Sequence, residues 1–178
     1  VKNATATGSV NGTAQVGGLV GFNDGTVTDS SASGSVTGDE GVGGLVGENE
    51  DGNITTATAT GSVNGDSGVG GLVGDNLDTR STISGEEILV SGTIQDTFAV
   101  GAVSGSGDVG GLVGNNSVAG TTGTVEDSYF DERATGQSTS DGNATGLTTA
   151  QMQGQAAESN MSGFDFDNTW TTASEYPA

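Results

Sequence analysis

One string constrains this chain more than anything else in it. Gly-Gly-Leu-Val-Gly stands at 17–21, 43–47, 70–74 and 110–114, at spacings of 26, 27 and 40 residues. Each copy follows a Val (Val16, Val42, Val69, Val109), and two residues after its last Gly comes an Asn (Asn23, Asn49, Asn76, Asn116). Recurrence at such a period marks a repeat architecture, in which each unit is too small to bury a core alone and is stable only against its neighbours. A second segment recurs in phase, starting from Val1, Val27, Ile54, Ile94 and Val125. In its first three copies small apolar residues alternate with Thr and Ser: Ala4, Ala6, Gly8 and Val10 on one side, Thr5, Thr7 and Ser9 on the other. Period two is the mark of a strand. Asn11-Gly12, Asp24-Gly25, Asp51-Gly52 and Asn64-Gly65 supply the turns.

A unit of about 26 residues without a helix, stacked on its own copies, predicts an all-β fold: a β-solenoid, parallel β-helix-like, with coils about 4.8 Å apart. Val1, Val27, Ile54 and Ile94 open the units over residues 1–127, with an insertion near 79–93 in which Thr79 to Thr93 has no counterpart elsewhere. A β-propeller or a sandwich of hairpins is the competing architecture. Blades need about 40 residues or more and larger core side chains than Ala and Gly.

The repeat strings resemble the GLUG-motif repeats of secreted and cell-surface proteins of bacteria and archaea: GGLVG, then Asn, then an ATGSV-like strand. The tail resembles the segment that closes such arrays, with its Ser-Tyr-Phe-Asp, Gly-Leu-Thr-Thr-Ala-Gln-Met and Phe-Asp-Phe-Asp elements and Trp170. The acidic bias is most similar to that of haloarchaeal members. The resemblance implies a surface or extracellular repeat module, some relatives being adhesins and some appended to peptidases, and it brings no catalytic residues. The fourth unit departs from the pattern, since Phe98, Val100 and Ala102 stand where outward Thr and Ser are expected.

Composition draws a boundary of its own. Six aromatic residues (Tyr129, Phe130, Phe164, Phe166, Trp170, Tyr176) follow residue 128, against Phe22 and Phe98 before it. Residues 128–178 therefore read as a C-terminal cap, with Thr148 or Thr149 opening a short helix that runs to about Ser159. At the other end Val1 already occupies the first template position. The array is expected to continue there or to meet another molecule.

Charge removes whole classes of function. With 23 Asp and Glu against three Lys and Arg, a formal charge of -20, no His and no Cys, the chain lacks what binds nucleic acid or anionic lipid. It also lacks the residues of disulfide scaffolds, zinc sites and Cys or His nucleophiles. Its longest apolar runs fall far short of the roughly 20 residues that span a bilayer. Carboxylates are plentiful, and β-helical folds host polysaccharide-cleaving enzymes. These acids, however, sit at repeated turns in a stretch nearly free of aromatic sugar platforms, so no catalytic residue is assigned.

Four sets of residues remain as candidates. Asp24, Glu48, Glu50, Asp51, Asp75 and Asp78 recur at turns, where stacking brings like charges together. Calcium, which takes six to eight oxygen ligands, relieves such a row, and so does molar salt, where the Debye length is about 3 Å. Asn23, Asn49, Asn76 and Asn116 are in register for a hydrogen-bonded ladder. Asn3, Asn11, Asn53, Asn115, Asn143 and Asn160 lie in Asn-X-Ser/Thr sequons, candidates for glycosylation. Strict alternation puts Leu19, Leu45, Leu72 and Leu112 in the core and leaves Val20, Val46, Val73 and Val113 as an exposed stripe for self-association.

These features predict an extracellular, salt-adapted module at the cell surface, structural or adhesive, acting through repetition rather than one deep pocket. Its partners are expected to be copies of itself, other domains of a longer parent protein, or surface polymers. A carbohydrate-active or carbohydrate-binding β-helix is the alternative. Ice binding through outward Thr pairs such as Thr5, Thr7, Thr58 and Thr60 is a minor one.

Overall fold

The computed structural model describes residues 1–83, 86–118 and 121–178. Its core is a right-through stack of coils, each contributing one strand to each of four parallel sheets. We name the sheets by their residues. The threonine sheet orders Thr5–Ala6, Thr26–Ala32, Asn53–Ala59, Thr93–Ala99, Tyr129–Asp131 and Thr145–Leu147, with Thr124–Glu126 also on Thr93–Ala99. A sheet of two-residue strands (Val10–Asn11, Val36–Thr37, Val63–Asn64, Val103–Ser104) leads into an outer sheet of Ala14–Gly17, Glu40–Gly43, Ser67–Gly70 and Gly107–Gly110. A middle sheet of Val20–Asn23, Val46–Glu50, Val73–Ile83 and Val113–Asn115 completes the coil.

Register places like on like. Val27, Ile54, Ile94 and Val125 form one column, Ala6, Ala32, Ala59 and Ala99 another, and Val20, Val46, Val73 and Val113 a third. The valines expected on an exposed stripe are therefore core residues: Val46, Val73 and Val113 are fully buried in the same cluster as Leu45, Leu72 and Leu112, and Val20 is packed against it. The strand breaks at the Gly18–Leu19 bend and its equivalents, so the Leu turns the corner inward and the Val opens the next strand facing the same way. The other face of the middle sheet carries glycine. A Cβ on Gly47 would stand 2.5 Å from Val16 N and 2.6 Å from Gly21 O, so the middle sheet lies backbone to backbone on the outer sheet. That sheet in turn shares a smaller core, Val16, Val42 and Val69 against Val36, Val63 and Val103, with the two-residue strands.

A bulge reconciles two parities in the threonine sheet. Val27 is buried, and so are Ser30 and Ala32, three and five residues on. Asp29 between them adopts φ 50°, as do Asn3, Thr56, Asp96 and Asp127 at 52°, 51°, 54° and 43° in the equivalent places. One extra residue per coil in the left-handed region resets the alternation.

The segment after Val125 does two separate jobs. Phe130 ends the alanine column, where its ring lies against Gly111. Residues 137–147 then close the stack. Gln137 Nε2 donates to Val103 O at 3.0 Å, Gly111 N to Thr139 O at 2.9 Å, Val113 N to the Ser140 hydroxyl at 2.9 Å and Asn116 N to Asp141 Oδ2 at 2.8 Å, while Thr145–Leu147 adds a last strand. Everything beyond folds back along the outer face of the threonine sheet. Phe98, whose outward placement broke the repeat, is covered there by Phe164, Trp170 and Tyr176 at ring distances of 6.3, 5.6 and 6.2 Å. The helix expected from Thr148 is split. Thr148 caps a 3-10 turn, Thr149–Gln151, and the α-helix Gln155–Asn160 starts only after Gly154 at φ 55°. A four-residue helix, Glu132–Thr135, also forms in a stretch without helical periodicity; Asp131 accepts from Arg133 N and Ala134 N at its start.

The N-terminal end is different. The first coil supplies an edge strand to all four sheets, Thr5–Ala6, Val10–Asn11, Ala14–Gly17 and Val20–Asn23.

Candidate functional site

Three places on the molecule gather polar or titratable groups. The first is a corner of the coil. Asn23 Nδ2 donates to Asn49 Oδ1 at 2.6 Å, Asn49 to Asn76 at 2.7 Å and Asn76 to Asn116 at 2.7 Å, all with their N–H groups directed toward the C-terminal end. The second N–H of each amide bonds the carbonyl of a glycine in its own coil: Gly25, Gly52, Gly92 and Gly123 at 3.3, 2.9, 3.2 and 2.8 Å. Each Asn thus staples the two sides of its corner and the next coil at once. What leaves the core between the stapled residues varies in length: one residue in the first coil, two in the second, fifteen in the third and six in the fourth. The third becomes an antiparallel hairpin of Val73–Ile83 on Glu86–Ser91, and the fourth a small one of Ser117–Val118 on Thr121–Thr122.

The carboxylates do not converge. Asp24, Glu50, Asp51 and Asp78 follow the ladder and belong to this corner, whereas Glu48 and Asp75 precede it, in register with Phe22, on the side of the outer sheet. Among the described residues no group of three Asp, Glu, His or Cys is arranged to hold a metal ion. Asp78 is the one buried carboxylate there with an orphan: Oδ1 accepts from Gly92 N at 3.2 Å, and Oδ2 has no partner. Asp75 is a strongly perturbed acid. Its carboxylate lies in the hollow left by Gly41 and Gly68, both at positive φ. Burial first, and then Glu48, Asp108 and Glu40 against a hydrogen bond from Asn115, pushes it up to about 6. Sequence reasoning overlooked a further acidic column at the bulge, Asp29, Asp96 and Asp127. The signal was an acid two residues after Val27, Ile94 and Val125, the first and third coils having Asn3 and Thr56 there. Burial, with the charges of Asp127 and Asp165, also raises Asp96.

Of the sequon residues, Asn3, Asn11, Asn53 and Asn143 are exposed. Asn115 and Asn160 are half-buried, and the Asn160 amide is committed to Ala156 O at 2.7 Å.

The third place is a groove of about 730 Å³ between the threonine sheet and the returning tail. Ser31, Thr58 and Thr60 supply hydroxyls, and Phe98, Trp170 and Tyr176 supply apolar surface. Of the outward threonines, Thr58 and Thr60 therefore line this groove, whereas Thr5 and Thr7 are exposed outside it. Trp170 is nearly buried and stacked on Phe164 at 4.5 Å, so its ring is not a free sugar platform. The tail is pinned by Tyr176, which donates to Asp131 Oδ2 at 2.8 Å. Burial and that bond push the phenol up to about 12. Burial works to raise Asp131, but hydrogen bonds from Thr149, Ala134, Tyr176 and Arg133 together hold its carboxyl below the usual range.

The GLUG motif matches residues 12–37 and 38–64, the stretches that contain the first two Gly-Gly-Leu-Val-Gly strings. The chain is also 46% identical over 59 residues to Halomucin of Haloquadratum walsbyi, a match covering 33% of this chain and 1% of that protein. No solved structure matches. Residues 12–64 thus match the GLUG repeat, and the chain spans about a hundredth of the curated haloarchaeal relative to which it is similar.

Proposed function

We propose that this chain is a rigid extracellular repeat module, a spacer and display element of a larger surface protein in concentrated salt. The carrying observation is the arrangement of columns: four coils in register, sealed by residues 137–147, with most of the acids at the surface. Such a stack holds its ends a set distance apart and repeats one surface per coil, so contact gains strength by multiplicity. GLUG repeats and the likeness to Halomucin support a surface role. No helix among the described residues is long and apolar enough to cross a membrane. Antibody to this segment should label intact producing cells; labelling only after lysis would overturn the extracellular reading.

Contact with carbohydrate polymers is a second reading, favoured by the groove, where hydroxyls and Tyr176 face the same space. A glycan array run in molar KCl tests it, with Thr58→Val as the control expected to lose any hit. Calcium belongs to the corner if anywhere, because Asp78 Oδ2 is the orphaned oxygen there. A rise in melting temperature with calcium at constant ionic strength, abolished by Asp78→Asn, separates bound cation from screening.

A further inference from the structure

Sequons are over-represented in this chain. Six of its twelve Asn stand in Asn-X-Ser/Thr, where 44 Ser and Thr among 178 residues would place about three by chance. The fold sorts the six. Asn53 and Asn143 are exposed, and among the described residues no hydrogen bond holds either side-chain amide. Each directly follows a glycine packed against the asparagine ladder: a Cβ on Gly52 would stand 2.2 Å from Asn23 Nδ2, and one on Gly142 3.0 Å from Asn116 Nδ2. Both therefore leave the stapled corner, on the edge from which the two hairpins emerge. The middle residue of each sequon turns inward, Ile54 fully buried and Ala144 packed against the same core, so Asn53 with Thr55 and Asn143 with Thr145 stand away from it. Asn115 and Asn160 are placed otherwise. Asn115 donates to the Asp75 carboxylate and accepts from Ser117 N at 3.2 Å, while Asn160 donates to Ala156 O at 2.7 Å and accepts from Gln151 Nε2 at 3.3 Å. Asn3 and Asn11 are exposed, but neither follows a ladder glycine.

From this geometry we infer that Asn53 and Asn143 carry N-linked glycans, set along the stapled edge. The donor is an oligosaccharide activated on a polyprenyl phosphate. Nδ2 attacks the anomeric carbon; the N–C bond forms, the bond from that carbon to the phosphate oxygen breaks, the lipid phosphate leaves with the electron pair, and one Nδ2 proton passes to base. Whether transfer precedes folding or follows it, the folded coil has to accommodate the product. A glycan on Asn115 or Asn160 disrupts hydrogen bonds at both ends of the amide, whereas one on Asn53 or Asn143 disrupts none. The inference rests on the extracellular reading, because sequons are glycosylated in secreted chains.

Peptide mass mapping of the protein purified from its producing cells tests it. Cleavage after Asp and Glu puts these four sequons in separate peptides, 52–66, 109–126, 142–158 and 159–165. Added hexose-containing mass is expected on 52–66 and 142–158, and none on the other two. Thr55→Val removes the sequon hydroxyl while keeping Asn53, and should lose the added mass on 52–66; Thr55→Ser should retain it. If 52–66 and 142–158 are unmodified in protein that antibody labels on intact cells, the inference fails and the extracellular reading stands. Unmodified protein labelled only after lysis would overturn both. Added mass on 109–126 or 159–165, or mass on 52–66 that survives Thr55→Val, would also overturn the inference.

Discussion

The coils and the tail that returns along them bury apolar surface by opposite means. Among the described residues of the coils no buried apolar side chain before Phe98 is larger than Leu or Ile, and close approach comes from glycine: a Cβ on Gly44 would stand 2.9 Å from that of Ala59, and one on Gly71 the same distance from Ala99. The tail has no repeat and relies on bulk, with Met152, Met161, Phe164 and Trp170 gathered over Phe98 and Tyr129. One region is thin and specified by register; the other is thick and specified by shape. A register-built core has no slack, because every backbone is a neighbour's wall, whereas an aromatic cluster laid on a surface can be lost without unstacking what lies beneath.

Breaking the comparison at its strongest point means adding one side chain to the glycine face. Gly47→Val puts a branched side chain against Val16 N and Gly21 O, neither of which can yield, and should cost more than the roughly 5 kcal/mol margin of a small domain. Circular dichroism should show no cooperative melt; a normal melt would mean that the two sheets do not touch. Trp170→Ala should cost about 3–5 kcal/mol, confined to the tail. Hydrogen exchange should then rise over residues 148–178 and remain slow in the coils, and uniform loosening would refute the separation.

Asn49→Ala sharpens the comparison from the polar side. It strands Asn23 Nδ2, Asn76 Oδ1 and Gly52 O, and at about 1 kcal/mol or more for each buried orphan should lower stability by about 3 kcal/mol. Denaturant titration would read this as a shifted midpoint with an unchanged slope. The smallest effect is at Asp75. Its folded pKa is raised from 3.8 to about 6, so its ionised form opposes folding; the penalty is absent below about pH 4, grows to about pH 6 and is complete above. Asp75→Asn should therefore stabilise the protein above pH 6 by about 1–2 kcal/mol, a figure discounted for partial exposure, and change nothing below pH 4. Equal melting temperatures at pH 7.5 would show that the hollow by Gly41 and Gly68 is better solvated than its geometry indicates.

The strands, the period and the alignment of the Asn column were legible because each follows from repetition, and register copies one unit's geometry to the next. The facing of Val46 and Val73 was not. Alternation presumes an unbroken strand, and the bend at Gly44–Leu45 cancels it, while glycine on the opposite face removes the need for a polar surface. The tail was legible as aromatic but not as a lateral cover, since a segment that occurs once carries no register to say where it lies. Phe98 held the only clue: an aromatic in a column of Thr and Ser implies something placed over it.

The stapled corner has a consequence for how such arrays change over time. Because each Asn amide ties the glycine on the far side of the corner to its own coil and to the next, chain length between them is invisible to the core. Insertions there are neutral cassettes: the third coil accommodates thirteen residues more than the second without shifting Ile94 from its column over Ile54. Variation can accumulate at this single seam, one loop per coil along one edge, while the spine stays the same. A peptide grafted between Asn49 and Gly52 would inherit that freedom, which makes this edge the natural place to write new recognition onto an old scaffold.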